Sequence, residues 1–195
     1  ACHKPPWLLL QTATIPMVHT TLISAADLAQ HLHNPAFVIF DCRHELTNPD
    51  FGIKAYAQSH IANARFAHLD RDLAAPLNGR NGRHPLPDPA VFADWLARMG
   101  VSNDKQVIGY DNAAGVYSSR LWWMLRWLGH QGVAVLDGGW QAWLAAGQAV
   151  SAEVPVPKRG RFTGTPQESP VDWKYVLEHL QSPHMVLIDA RANGR

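Results

Sequence analysis

The chain has 195 residues, 47% of them hydrophobic, and carries 17 Lys plus Arg against 16 Asp plus Glu. That is enough apolar material for one large domain, or for one domain and part of another. The near-neutral balance, without a Lys/Arg block, excludes a broad electrostatic surface for nucleic acid or anionic membrane. No apolar run reaches the length of a membrane span, and "WLLL" near the start is too short for a signal-peptide core. Two widely separated cysteines, Cys2 and Cys42, cannot build a disulfide framework and point to a reducing, cytoplasmic setting.

Residues 1–16, "ACHKPPWLLLQTATIP", have no period and are expected to be a disordered leader or tag, with Met17 as the start of the gene product. "MVHTTLISAADLAQHL" has a helical apolar pattern, with Ser24 placed to cap a helix over 24–33, and "AFVIFD" reads as a buried strand ending at Asp41. "AYAQSHIANARFAH" predicts a short helix and a second strand. "DPAVFADWLARMG" predicts a helix capped by Asp88, with Pro89 in its first turn and Gly100 closing it. "KQVIGYD" is the next strand, "SRLWWMLRWLG" a helix closed by Gly129, "VAVLD" a strand and "GGWQAWLAAG" a helix. Strands alternating with helices predict a parallel sheet covered on both faces.

After Gly147 the sequence turns rich in Pro, Gly and charge and loses its period, which predicts a linker. Beyond it the first element returns. "HLHNPAFVIFDCR" lies over "HLQSPHMVLIDAR" without a gap, so that His31 falls on His179 and Arg43 on Arg191. An internal duplication accounts for this. The second copy would contribute a helix and a strand, and that strand, lacking its sheet, would expose Met185, Val186 and Ile188.

Between the copies stands "GYDNAAGVYSSRLWWMLRWLGH", residues 109–130, a strand end and a helix N-terminus joined by a loop. Backbone N–H groups and the helix dipole converge on an anion at such a place. The loop offers Asp, Asn, Tyr and Ser but neither Cys nor His. Cys42 sits directly after a strand with no glycine-rich loop behind it and matches Ala190 in the repeat, so it reads as a buried structural thiol. Asp41 and Arg43 recur as Asp189 and Arg191, which suits an ion pair within each copy. The eleven His are scattered, and His31 and His33 point to different helix faces, so no metal site is expected. Helical spacing of Trp122, Trp123 and Trp127, and of Trp140 and Trp143, suits packing rather than a binding stripe.

"FDCR", "AYAQSHIANARF" in place of Y-x-x-G-H-I-P-G-A, "GRHPLPDP", "YD…YSSRLWWMLRWLGH", "VLDGGWQAW" and "LIDARANGR" stand in one order and spacing. Together they resemble the two-domain sulfurtransferases of the rhodanese family over Leu22 to Arg195. Ser59 for Gly and Ala62-Asn63 for Pro-Gly depart from the pattern within a turn. The resemblance implies an α/β rhodanese-like domain with a central parallel sheet covered by helices on both faces. It implies a non-catalytic N-terminal domain over 21–147, an interdomain linker over 148–169, and in 170–195 the first helix and strand of the catalytic domain.

In that family a sulfane sulfur moves from a donor to a cysteine thiolate in the second domain's loop and on to a thiol or cyanide. The first domain's matching loop is degenerate, and "DNAAGVYSSR" resembles it. Asp111 and Arg120 are therefore expected at the mouth of a loop too long to aim several N–H groups at one atom, and the fragment alone is expected to be inactive. The resemblance makes His84, with Asp70, a supporting acid/base pair, and makes Arg195, with Arg191 as the weaker candidate, the grip on the donor's anionic group. It implies 3-mercaptopyruvate as donor, with thiosulfate as the alternative, and no cofactor. The partners are the small-molecule sulfur donor, a thiol or cyanide acceptor, and a second rhodanese domain of the same chain. An inactive rhodanese module that docks a regulatory partner is the reading from another class. A phosphatase relative would need a Cys where Asp111 opens the loop.

Overall fold

The computed structural model describes residues 19–189. The expected leader and Met17, Cys2, Arg191 and Arg195 lie outside the described residues.

Five strands form a parallel sheet: β1 (Leu22–Ile23), β2 (Phe37–Asp41), β4 (Arg65–Phe66), β5 (Gln106–Tyr110) and β6 (Val133–Leu136), in the order β1-β6-β5-β2-β4. Side chains alternate between its faces, as a strand's period of two requires. Val38, Phe40, Val107 and Val133 enter one core with Phe92, Trp95, Leu96, Leu121, Met124 and Leu125, from α3 (Pro89–Arg98) and α4 (Ser118–Trp127). Ile39, Ile108, Tyr110, Ala134 and Leu136 enter a second core with Leu28 and Trp143, from α1 (Ala25–Ala29) and α5 (Gly139–Ala145). Helices therefore cover both faces, as the alternating sequence requires.

Local signals set most element ends. The Ser24 hydroxyl accepts the Asp27 N–H at 3.1 Å, and the Asp88 carboxylate accepts those of Ala90 and Val91 at 2.8 and 3.2 Å. Gly129 closes α4 with φ of 85°, while the N–H groups of Gly129 and His130 return to the carbonyls of Arg126 and Leu125. Asn63, standing where the rhodanese pattern has Gly, adopts φ of 63°, a conformation Asn tolerates better than other side chains.

Four expectations need correction. Leu22–Ile23 was expected inside a helical pattern but pairs in parallel with Val135–Leu136, because an open sheet edge offers hydrogen bonds that a helix cannot. α1 is five residues rather than ten, and the chain turns over 30–33 ahead of Pro35, which disfavours helix before it. The short helix α2 begins earlier, at Phe51, and ends at Gln58. The strand expected near 185–189 is not formed either. After α6 (Trp173–His179), Val186, Leu187 and Ile188 are 83%, 62% and 81% exposed.

The Pro- and Gly-rich stretch is extended, yet it is held along the domain. β7 (Val150–Ser151) pairs antiparallel with β3 (His60–Ile61). Farther on, the Gly160 N–H donates to the Ala97 carbonyl at 2.8 Å, and Phe162 enters the first core, 7% exposed. Arg159 pairs with Asp94, Thr163 with Asn103, and the Gln167 N–H with the Trp127 carbonyl. The rest of this segment has no period because these anchors are backbone groups and isolated side chains rather than one apolar face.

Candidate active site

From β2 the chain proceeds to one side of the sheet, toward β4, and from β5 to the other, toward β6. The order reverses between β2 and β5, and the crevice beyond the carboxyl ends of strands at such a reversal is where open α/β sheets hold ligands. β2 ends there at Asp41, β4 is followed by Ala67–Asp70, and β5 runs into Asp111.

Asp111 explains why the cradle lacks a nucleophile. Its side chain is fully buried, and its carboxylate takes the place an anionic ligand would fill. Oδ1 accepts the N–H groups of Ala113 and Gly115 at 2.8 and 2.9 Å. Oδ2 accepts the N–H groups of Tyr117 and Ser118 at 2.8 and 2.7 Å and the Ser118 hydroxyl at 2.9 Å. Long as the loop is, four of its N–H groups meet on one carboxylate, two on each oxygen. The expectation that Asp111 lines the loop's mouth is corrected, since it lies beneath the loop and caps α4 from seven residues upstream. Ala114 bears the strain of the wrap, with φ of 51°. On the far side the Asp111 carbonyl accepts the Trp140 N–H at 2.8 Å, and a side chain on Gly139, whose φ is 58°, would collide with it.

Arg120 also turns away from the loop's mouth. Its Nε donates to the Leu73 carbonyl at 2.6 Å, and its Nη2 to those of His84 and Pro85 at 3.0 and 3.2 Å.

The structure brings His84 and Asp70 together, with His84 Nε2 3.0 Å from Asp70 Oδ1. His84 is 20% exposed and Asp70 40%, so the pair is open to solvent at the strand ends. Beneath it lie two histidines that sequence reasoning missed. His68 is buried, and its Nδ1 accepts the Asp70 N–H at 3.1 Å, while its Nε2 has no partner among the described residues. His44, also buried, packs edge-on against His68 and Tyr117, while its N–H donates to the Asn112 side chain at 3.0 Å. Burial lowers the His44 pKa below its ordinary 6.5, with Asp70 opposing and the neighbouring histidines and Arg83 adding to the fall. The only sequence signal for either was a His just past a strand end, "FDCRH" and "FAH".

Cys42 is 2% exposed, and burial pushes its thiol well above the usual range, reinforced by the carboxylates of Asp41, Asp111 and Asp72. Such a group is inert as a nucleophile at neutral pH. Asp41 and Arg43 form the expected ion pair, 2.6 Å at its shortest. Tyr110 donates to the same carboxylate at 2.7 Å, and the Arg43 guanidinium lies 4.3 Å from the centre of the Trp140 ring. These groups tie the ends of β2, β5 and α5 together below the crevice. Trp127 and Trp143 are buried in packing roles, whereas Trp123 is 41% exposed and stacks on Trp127.

No group of three or more His, Cys, Asp or Glu that could hold a metal occurs among the described residues, nor does a helix long and apolar enough to cross a membrane.

The rhodanese-like domain family matches residues 24–146. A Pseudomonas aeruginosa protein named "Probable 3-mercaptopyruvate sulfurtransferase" is 42% identical over 182 residues, 92% of this chain and 64% of its own length. A "Thiosulfate sulfurtransferase" from Cricetulus griseus is 33% identical over 188 residues, 92% of this chain and 62% of its own. Among solved structures, SseA from Escherichia coli, a 3-mercaptopyruvate sulfotransferase by its description, superposes with a TM-score of 0.74 at 28% identity, covering 84% of this chain and 63% of that one. The chain thus spans less than two thirds of the length of each of these relatives. A family match over residues 24–146, with relatives of 42% and 33% identity across 92% of the chain, leads to one conclusion: the chain belongs to the rhodanese-like domain family.

Proposed function

We propose that the chain is the non-catalytic first domain, with the approach to the second, of a sulfurtransferase that takes sulfane sulfur from 3-mercaptopyruvate. The nucleophilic thiolate belongs to a second rhodanese domain. The observation that carries this reading is the close approach of His84 Nε2 to Asp70 Oδ1, 3.0 Å apart, beyond the strand ends. When a thiolate attacks the sulfur of 3-mercaptopyruvate, the carbon–sulfur bond breaks and its electron pair leaves on carbon as pyruvate enolate. The donor's thiol proton must depart and the enolate must gain one, so one relay can serve both steps. A solvent-accessible imidazole oriented by a carboxylate is suited to that transfer. Arg195 and Arg191 are the proposed grip on the donor carboxylate, through bidentate guanidinium hydrogen bonds. The sulfur then passes to a small thiol or cyanide. No cofactor is required, and the setting is the cytoplasm.

Thiosulfate as donor is the second reading, favoured by the Cricetulus griseus relative. Thiosulfate carries no carbon leaving group to protonate, so the two donors separate the readings. In the full-length protein, His84→Ala should lower kcat with 3-mercaptopyruvate by about 100-fold, the size of a general acid/base contribution, and leave thiosulfate turnover little changed. An unchanged kcat with 3-mercaptopyruvate would remove His84 from the chemistry. Residues 1–195 alone should transfer no sulfur to cyanide or a thiol; turnover by them that vanishes in Cys42→Ser would make this domain the catalyst.

A further inference from the structure

We infer that Arg120 is a positioning residue for His84, and that the self-filled cradle acts as its anchor. The inference rests on the reading of His84 given above for its functional meaning, but its geometry stands independently.

His84 belongs to a segment, residues 73–88, with no helix or strand of its own. Within it the Ala75 N–H donates to the Pro85 carbonyl at 3.0 Å, which closes the segment into a loop, but nothing in that bond ties the loop to the sheet. Arg120 does. Its guanidinium reaches Leu73 at one end of the loop and His84 and Pro85 at the other. One rigid planar group thus fixes both ends, and it grips the backbone of the residue whose imidazole must meet Asp70. Among the described residues the half-buried guanidinium has no carboxylate partner: burial lowers its pKa, and the three carbonyls are its only polar contacts there. An unpaired cation held in this way is worth its desolvation only if those carbonyls need to be fixed.

Arg120 stands in the first turn of α4, and the start of α4 is held by the Asp111 carboxylate through Tyr117 and Ser118. The connection therefore runs from Asp111 to the helix N-terminus, to Arg120, to the His84 backbone, and to the 3.0 Å contact of His84 with Asp70. In this domain the former anion cradle sets the height and rotation of α4, and through it the place of an imidazole on a neighbouring loop.

The test is the imidazole signature of His84 in long-range 1H–15N spectra of the chain, read in Arg120→Gln, Arg120→Lys and Asp70→Asn. Asp70→Asn defines the spectrum of His84 without its carboxylate. Arg120→Gln should move the His84 signals toward that spectrum and leave those of the remote His130 in place; Arg120→Lys, which keeps a cationic donor, should restore part of the difference. If Arg120→Gln does not fold, Arg120→Lys still decides, because losing the planar fork must displace the His84 signals. His84 signals identical to the parent protein's in a folded Arg120 variant would overturn the inference. In the full-length enzyme Arg120→Gln should lower kcat with 3-mercaptopyruvate by about 10-fold, a part of a general acid/base effect. Displaced His84 signals with unchanged turnover would uphold the positioning and sink the catalytic reading of His84. Undisplaced signals would sink the positioning alone.

Discussion

Replacing Asp111 by Ala removes the acceptor for five hydrogen bonds at once. The N–H groups of Ala113, Gly115 and Tyr117 are part-buried, so water can take over much of what they lose. The two Ser118 donors are buried and cannot be rehydrated without opening the start of α4. At roughly 1–3 kcal/mol for each buried donor left unsatisfied, and less for the others, the loss is about 3–5 kcal/mol. For a chain of this size that lowers the thermal midpoint by roughly 10 °C. Asp111→Asn should do little better, because its single carbonyl oxygen can serve one side of the loop while its NH2 faces donors on the other. Sulfate at tens of millimolar should raise the melting point of Asp111→Ala more than that of the parent protein, since it refills the emptied place. Thermal and urea unfolding of the three proteins, with and without sulfate, check this. A loss below about 1 kcal/mol, less than one buried hydrogen bond with a charged group, or a fully stable Asn variant, would refute the view that the carboxylate organises the loop.

Ala114→Gly should stabilise the chain by about 1 kcal/mol, the cost of a left-handed non-glycine residue less the added freedom of the unfolded chain; urea midpoints measure it. His44 and His130 both have pKa values lowered from 6.5 by burial, so the unfolded chain binds their protons first. Stability is therefore complete above about pH 6.5, the unfolded value, and falls as the pH drops below it; His130→Gln should flatten that fall in urea melts between pH 7 and 5. In a Cys2→Ser background, Cys42 should resist iodoacetamide at pH 7.5 until the fold opens, as read by intact mass, and rapid native labelling would contradict its burial.

What the sequence made legible was local. Ser24, Asp88 and Gly129 each act within four residues of themselves, and the buried strands Phe37–Asp41, Gln106–Tyr110 and Val133–Leu136 announce themselves as β-branched and aromatic runs. The ion pair of Asp41 and Arg43 and the inert Cys42 were readable because one repeats and the other lacks a loop. The rest depends on distance along the chain. Asp111 caps a helix from seven residues away, a spacing that no N-cap rule includes. His44 and His68 come from the ends of two different strands, and their approach to each other exists only once the sheet has formed. His84 and Asp70 were paired by resemblance, and the intervening loop gave no independent sign of their contact; the hand that closes it, Arg120, reads in the sequence as one more cation on an amphipathic helix.

The segment that follows the sheet looks like a protease's target: "PVPKRGRFTG" carries three basic cleavage sites among prolines and glycines. Its contacts give it a different character. To enter a protease cleft, the chain near Arg159 and Arg161 must leave Asp94 and the Ser102 hydroxyl, and Phe162 must withdraw from the core. The segment's length is also largely consumed in contacts. It is fastened as late as Glu168, whose carbonyl accepts the Trp127 indole N–H at 2.9 Å, and Asp172 already caps the next helix. The free tether between them is residues 169–171, and the steps from Glu168 to Asp172 span at most roughly 14 Å when fully extended. Whatever that helix belongs to is leashed to the Trp127 end of the domain, so its local concentration there is set by a short cord rather than by a flexible linker of the length the sequence suggests.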